Sequence, residues 1–243
     1  MTGPTTGPTP RGEELLLARV SAAAGRAHLG KRRATYTGAA HTPHAPAGLA
    51  RMIRSLPAFA RYGRRAATWT RAEARLDLYE HGMTVVVRRR IHLVRYDTTS
   101  VFQDTIRLPH GPVRGATMRT CTLTDVEGKR VELYDGPEDA DAEEWVGRIQ
   151  QAVTRVQLPR ALAALDDGER LTFGGIWLTG EGVGAGDVSA QWQQVQQIEI
   201  TPGVIRLKTE GNWHTLVPRA ATVRNLFVLS TLVEHFRTGG AGG

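Results

Sequence analysis

The chain has 243 residues and a mass of 26.5 kDa, enough for one large domain or two small ones. Its 41% hydrophobic and 23% charged residues exclude a wholly disordered chain, and its single cysteine, Cys121, excludes a disulfide framework and a cysteine-based zinc cage and suits a reducing compartment. No apolar run approaches the ~18 residues of a transmembrane helix. The net charge of +7 is uneven: residues 1–75 carry +10 and residues 76–243 carry −3. Between Glu14 and Glu73 there are 11 bases and no acid, which points either to an anionic partner or to pairing with the acidic remainder of the chain.

Residues 1–12 are rich in Gly, Pro and Thr and predict a disordered start, with no signal-peptide core behind it. Residues 13–28 predict a helix from Leu16, Val20 and Ala24, with Glu13 and Glu14 at its positive end and Gly30 as terminator. Residues 37–48 (TGAAHTPHAPAG) read as a loop. Residues 48–69 place Leu49, Met52, Ile53, Leu56 and Phe59 on a helical stripe among arginines, broken or kinked at Pro57. Such a stripe either docks on its own domain or lies on a membrane surface. The whole of 13–71 is therefore expected to be a basic helical arm.

From residue 74 the period becomes strand-like. Strands are expected at 76–78 and 83–87 around a turn at His81-Gly82, and again at 91–96. Residues 103–117 read as a loop. Cys121 and Leu123 alternate with threonines in a half-buried strand, and Glu127-Gly128 turns into a strand through Val131 and Leu133. Asp141 and Glu144 form a capping box opening a helix that buries Trp145, Ile149, Val153 and Val156 and ends at Pro159. A short helix at 159–165 follows. Strands then cover 171–178 and 188–200, a hairpin flanks Glu210-Gly211, and a last helix at 223–236 aligns Leu226, Leu229, Val233 and Phe236. Residues 238–243 form a Gly-rich tail.

That order repeats. Leu78…Gly82 matches Leu178…Gly182 at an offset of 100, and Glu127-Gly128 matches Glu210-Gly211 at an offset of 83. Each copy is a run of antiparallel strands followed by one amphipathic helix, the pattern of a bent sheet with a helix plugging one open end. The expected architecture is α+β: two tandem pleckstrin-homology-like (PH-like) units at 72–157 and 158–237, preceded by the basic arm.

The segments LDLYEHGMTVVV (76–87), IHLVRYDTTSVFQ (91–103), TLTDVEGKRVEL (122–133), EEWVGRIQQAV (143–153), QLPRALAALDDGERLTFG (157–174) and WQQVQQIEI (192–200) resemble a family of uncharacterised actinobacterial proteins with tandem PH-like repeats. LLARVSAAAGRAHLGKRRATY (16–36) resembles that family's opening segment. The resemblance implies a bacterial cytoplasmic protein with a binding role rather than an enzymatic one. Phosphoinositide-binding PH domains put bases around their first hairpin. Here Tyr79-Glu80-His81-Gly82 and Thr179-Gly180-Glu181-Gly182 are acidic or neutral, and the bases come one turn later.

No set of reactive groups converges at a recognisable spacing, so neither catalytic residues, nor a metal, nor a cofactor is expected. GVGAGD (182–187) lacks the lysine of a phosphate loop. His41 and His44 stand in a Pro-rich stretch without a nearby acid or cysteine. His81 reads as solvated at its turn. His92, set against Ile91 and Leu93 by strand parity, reads as a surface residue, and Cys121 as a small buried hydrophobe. The Glu143-Glu144 and Asp166-Asp167 pairs read as helix-end acids. The candidate anionic-surface contacts are Lys31, Arg32, Arg33, Arg51, Arg54, Arg61, Arg64, Arg65, Arg88, Arg89 and Arg90. The favoured function is noncatalytic binding or scaffolding of a protein partner in the cytoplasm. The binding edge would be the groove between a sheet edge and a C-terminal helix, or the seam between repeats. One alternative is a peripheral protein held by its arm at the anionic inner face of the membrane. The other is a nucleic-acid-associated protein.

Overall fold

The computed structural model describes residues 10–41, 72–107, 117–135, 142–201 and 203–239. The fold is α+β, with three helices and three antiparallel sheets among the described residues. Helix α1 (Pro10–Arg26) buries Val20, Ala23 and Ala24, close to the predicted stripe. It ends before Gly30. The Leu29 N–H reaches back to the Ala24 carbonyl and the His28 N–H to Gly25, with His28 in the left-handed region at φ 53°. These two bonds satisfy carbonyls that the helix end leaves open.

The arm is not helical throughout. Residues 32–41 form a strand, β1 (Arg32–His41), set between β2 (Ala72–Tyr79) and β7 (Arg130–Asp135). Bases and small residues dominate β1, so no apolar alternation announces it, yet Tyr36 and Ala40 are buried in the main core. The first unit thus begins well before residue 72. The expected helix at 48–69 lies outside the described residues, as do the capping Asp141, His44 and the C-terminal tail from 240.

Strands β3 (Gly82–Val87) and β4 (Arg90–Arg95) fall where expected. The described ends of the expected loop at 103–117 are strand, and 108–116 lie outside the described residues: β5 (Val101–Arg107) pairs with β6 (Thr117–Thr124) from Val101↔Leu123 to Arg107↔Thr117. β5 was illegible because an edge strand need not alternate cleanly. The first sheet has the order β4-β3-β2-β1-β7-β6-β5. It curls until the β6–β7 turn meets β4, where the Val126 N–H donates to the Leu93 carbonyl at 2.8 Å.

Helix α2 (Ala142–Asp166) runs straight through Pro159, against the expected stop and the separate short helix. Pro159 lies on an exposed face, so the carbonyl deprived of its donor, that of Arg155, is open to water. Trp145, Ile149, Val153 and Leu165 bury the inner face on both sides of the proline, and packing outweighs the lost bond.

The second unit repeats the first in smaller form. The single strand expected at 171–178 is two, β8 (Leu171–Phe173) and β9 (Ile176–Leu178), turning at Gly174-Gly175. With β10 (Gly182–Ala185) and β11 (Val188–Gln191) they make a four-stranded sheet. β12 (Val195–Ile200), β13 (Ile205–Thr209) and β14 (Asn212–Val217) make a three-stranded one. Helix α3 (Leu226–Gly239) follows, its Phe236 ring stacked on Trp192 at 5.0 Å.

The glycines of the repeated motif are constrained alike. Gly82 sits opposite Arg95, and a Cβ there would run into the Val94 carbonyl. Gly182 sits opposite Gln191, and a Cβ there would run into the Ala190 carbonyl. Both copies need glycine because the neighbouring strand's backbone passes too close for any side chain. Leu78 pairs with Met83 and Leu178 with Val183, so the two hairpins share one register. One continuous core runs through both units, joining Leu76, Val94 and Trp145 to Ile176, Leu207 and Leu229.

Candidate functional site

The seam between the units carries a groove. β5 is the end strand of its sheet, paired with β6 on one side only. Its other side faces α2 and the start of α3. At the first position, Val101, a residue of the second unit occupies the free edge. The Asn225 N–H donates to the Val101 carbonyl at 2.8 Å, and the Val101 N–H donates to Asn225 Oδ1 at 2.7 Å.

Asn225 is itself fixed in place. Its Nδ2 donates to Gln157 Oε1 on α2 at 2.7 Å and to the Thr99 carbonyl at 3.3 Å. The Gln157 amide in turn donates to the carbonyls of Tyr96 and Thr99, at 2.8 and 3.0 Å. Asn225 lies at φ 48°, and its carbonyl receives the Val228 and Leu229 N–H groups that open α3. This buried network clamps both helices to the β4–β5 corner, with every partner satisfied.

Beyond Val101 no strand pairs with this edge among the described residues, and the turn at 220–222 lies beside it. A strand's side chains and hydrogen-bonding groups repeat every second residue, so Gln103 and Thr105 turn their backbone groups to the same side as Val101. The Thr105 N–H is covered by Asp104 Oδ1 at 2.9 Å, a local carboxylate shielding an edge donor. The groove along this edge has a volume of about 330 Å³ and is lined by Gln103, Thr105, Trp145, Val146, Gln150 and Ile200, among others. Trp145 is fully buried, and among the described residues its Nε1 has no hydrogen-bond partner. Arg119 and Glu143 pair at 2.5 Å near the rim. Cys121 lies beneath, and burial pushes its thiol up to about 12, so it is a packing residue and not a nucleophile. This groove joins the two locations expected from sequence: it runs between a sheet edge and a C-terminal helix, and it lies at the seam.

Among the described residues the predicted anionic-surface bases fall in two places, at 31–33 and at 88–90. The Lys31 N–H donates to Glu80 Oε2 at 3.0 Å, Arg33 pairs with the same carboxylate, and Arg32 approaches Asp77 at 3.5 Å. Chelation by the Lys31 N–H and the Arg33 guanidinium holds Glu80 below the usual carboxylate range. Acids of the same chain thus answer these bases. Arg51, Arg54, Arg61, Arg64 and Arg65 lie outside the described residues. Arg88 and Arg89 form the exposed β3–β4 turn, and Arg90 opens β4.

His92 corrects the sequence reading. It is buried, with its Nδ1 2.8 Å from Asp125 Oδ2. Strand parity holds, but the face was reversed. Val94 and Tyr96, of the same parity, are core residues, while Leu93 packs outward against the α1 side. The alternation was ambiguous because β4 is covered on both faces. A carboxylate only accepts, so Nδ1 carries the proton and donates it to Asp125. The other oxygen of Asp125 accepts the Glu127 and Lys129 N–H groups at 3.0 and 2.8 Å, which shapes the β6–β7 turn. The signal for this pair was the Asp that opens an Asp-x-Glu-Gly turn; its partner, 33 residues away, was not legible.

Among the described residues no three His, Cys, Asp or Glu side chains converge as a metal site, and no helix is long and apolar enough to cross a membrane. The model of a family of unknown function, DUF6585, matches residues 60–240, and the chain belongs to that family. The matched span includes both helices of the repeat and leaves α1 and β1 outside. No curated protein matches the chain.

Proposed function

We propose that the chain is a noncatalytic binding protein built from two PH-like units, and that the groove beside β5 takes an extended segment of a protein partner as an added strand. The PH-like reading is supported by the repeated order of seven strands and a helix, with the strands in one sheet in the first unit and in sheets of four and three in the second. The added-strand reading rests on one observation. Asn225 already engages both backbone hydrogen-bonding groups of Val101, as a neighbouring strand would, and among the described residues no strand pairs with the same edge past Gln103. Main-chain bonds along such an edge supply affinity, and alternate side chains of the guest fit the apolar wall of Trp145, Val146 and Ile200. The lone cysteine supports an intracellular setting.

A random peptide library displayed on phage and panned against the full chain tests this. Extended peptides should enrich, bind saturably, and lose at least tenfold in affinity to Val146→Arg, which obstructs the groove. An Arg237→Gln control on the far end of α3 should bind as the parent does. No enrichment, or enriched peptides indifferent to Val146→Arg, sinks the reading.

A further inference from the structure

A second cleft lies on the opposite end of the first sheet from β5, between α1 and the β4 edge. It has a volume of about 690 Å³ and takes in the β6–β7 turn. α1 lines it with Arg19, Ala22, Ala23 and Arg26. These positions follow the i, i+3, i+4, i+7 spacing of one helix face, so two guanidinium groups two turns apart flank a floor of alanine. Across from them stand Arg89 and Arg90 of the β3–β4 turn, and Lys129. All five bases are exposed.

The acids here are already committed. Glu127 pairs with Lys129, and Asp125 is engaged by His92 and two backbone N–H groups. Four arginines therefore face one cleft with no acidic partner among the described residues. This differs from Arg32 and Arg33, which the chain neutralises itself.

One further observation points to a ligand. The Arg88-Arg89 turn is strained. Both residues hold left-handed backbone, at φ 48° and 62°, where a two-residue hairpin turn favours Asn-Gly. Strain retained at paired arginines is what a site needing their side chains would keep. Planar guanidinium forks match phosphoryl oxygens in pairs.

We infer that the cleft between α1 and β4 is a binding site for a phosphate-bearing ligand, held by Arg19, Arg26, Arg89 and Arg90. Its volume admits more than one phosphoryl group, so a pyrophosphate or polyphosphate unit fits better than a lone phosphate. The same chemistry could come from a free metabolite or from a phosphomonoester headgroup on a lipid surface. This site is separate from the β5 groove and does not depend on it.

The test uses the full chain with two probes. One is inorganic pyrophosphate, followed by calorimetric titration. The other is a phosphatidylcholine vesicle carrying phosphatidic acid, compared with one carrying phosphatidylserine at equal charge. Arg19→Gln with Arg89→Gln removes two cleft charges, and Arg155→Gln with Arg237→Gln removes two charges elsewhere. Thermal melts confirm that both pairs fold. The expected result is saturable one-to-one binding that the cleft pair weakens at least tenfold and the control pair less than twofold. Pyrophosphate binding identifies a soluble ligand. Binding only to phosphatidic acid vesicles, in preference to phosphatidylserine, identifies a headgroup. Failure of both probes overturns the inference, and so does equal weakening by the two pairs, which would mean diffuse electrostatics.

Discussion

Asn225 stands to Val101 as a neighbouring strand residue would, giving its N–H to the Val101 carbonyl at 2.8 Å and taking the Val101 N–H on its side-chain oxygen at 2.7 Å. The two residues are 124 positions apart, so this contact holds the second unit against the first. The same side chain also binds Gln157, which makes it the point where both helices and the sheet edge meet.

Asn225→Ala should therefore destabilise the whole chain by about 2–4 kcal/mol, because Val101 and Gln157 are left with buried unpaired groups. Asn225→Gly keeps access to the left-handed backbone but loses the side-chain bonds. If both variants cost about the same in urea unfolding, the hydrogen bonds dominate. If Gly is as stable as Asn, the role assigned to the side chain is wrong.

Asp125 serves three donors at once: His92 and two turn N–H groups. Asp125→Ala should cost about 2–4 kcal/mol. His92→Phe leaves the buried Asp125 Oδ2 without its donor and should cost about 1–3 kcal/mol. In the double variant the histidine no longer suffers from the missing carboxylate, so urea unfolding should give a smaller loss than the sum of the two. Simple additivity would deny the pair a coupled role.

Arg89 sits at φ 62°, which costs a non-glycine residue about 1 kcal/mol. Arg89→Gly should raise stability by about that amount, as a higher melting temperature would record. A fall in melting temperature would mean that the arginine side chain contributes more to the fold than the backbone strain takes away.

Stability should fall at both ends of the pH scale. The buried Cys121 thiol, ordinarily near 9.0, is raised to about 12. Its contribution is complete below 9 and is lost as pH rises from there toward 12. Cys121→Ala should flatten that alkaline decline, and iodoacetamide at pH 8 should label the thiol only after unfolding. Glu80 is held low by the Lys31 N–H and by Arg33, and Asp97 chiefly by Arg95. Their contributions are present above the unfolded carboxylate values and are lost as pH falls through the lowered ones. Glu80→Gln mimics the protonated carboxyl, so it should lower stability at neutral pH and move the acid unfolding midpoint upward relative to the parent's, with a flatter approach to it. An unchanged midpoint would deny Glu80 that role.

The sequence by itself determined the elements that local chemistry announces. Helical spacing placed Val20 and Ala24 in α1, Trp145, Ile149 and Val153 in α2, and Leu229 and Val233 in α3, all of them buried. The Gly82 and Gly182 hairpins and the Glu-Gly turns exposed the repeat, because tight turns restrict residue type wherever they occur. It was silent on β1 and β5, whose composition does not alternate, and misled at Pro159, where core packing on both sides carried the helix through. The tertiary structure alone decided which face of β4 is inside, that His92 meets Asp125, that Asn225 meets Val101, and that Arg19 and Arg26 face Arg89 and Arg90 across one cleft. Periodicity records how each residue relates to its neighbours along the chain. Which distant polar groups share a buried site depends on how the sheet curls and where the helices land, and that is set by the packing of the whole core.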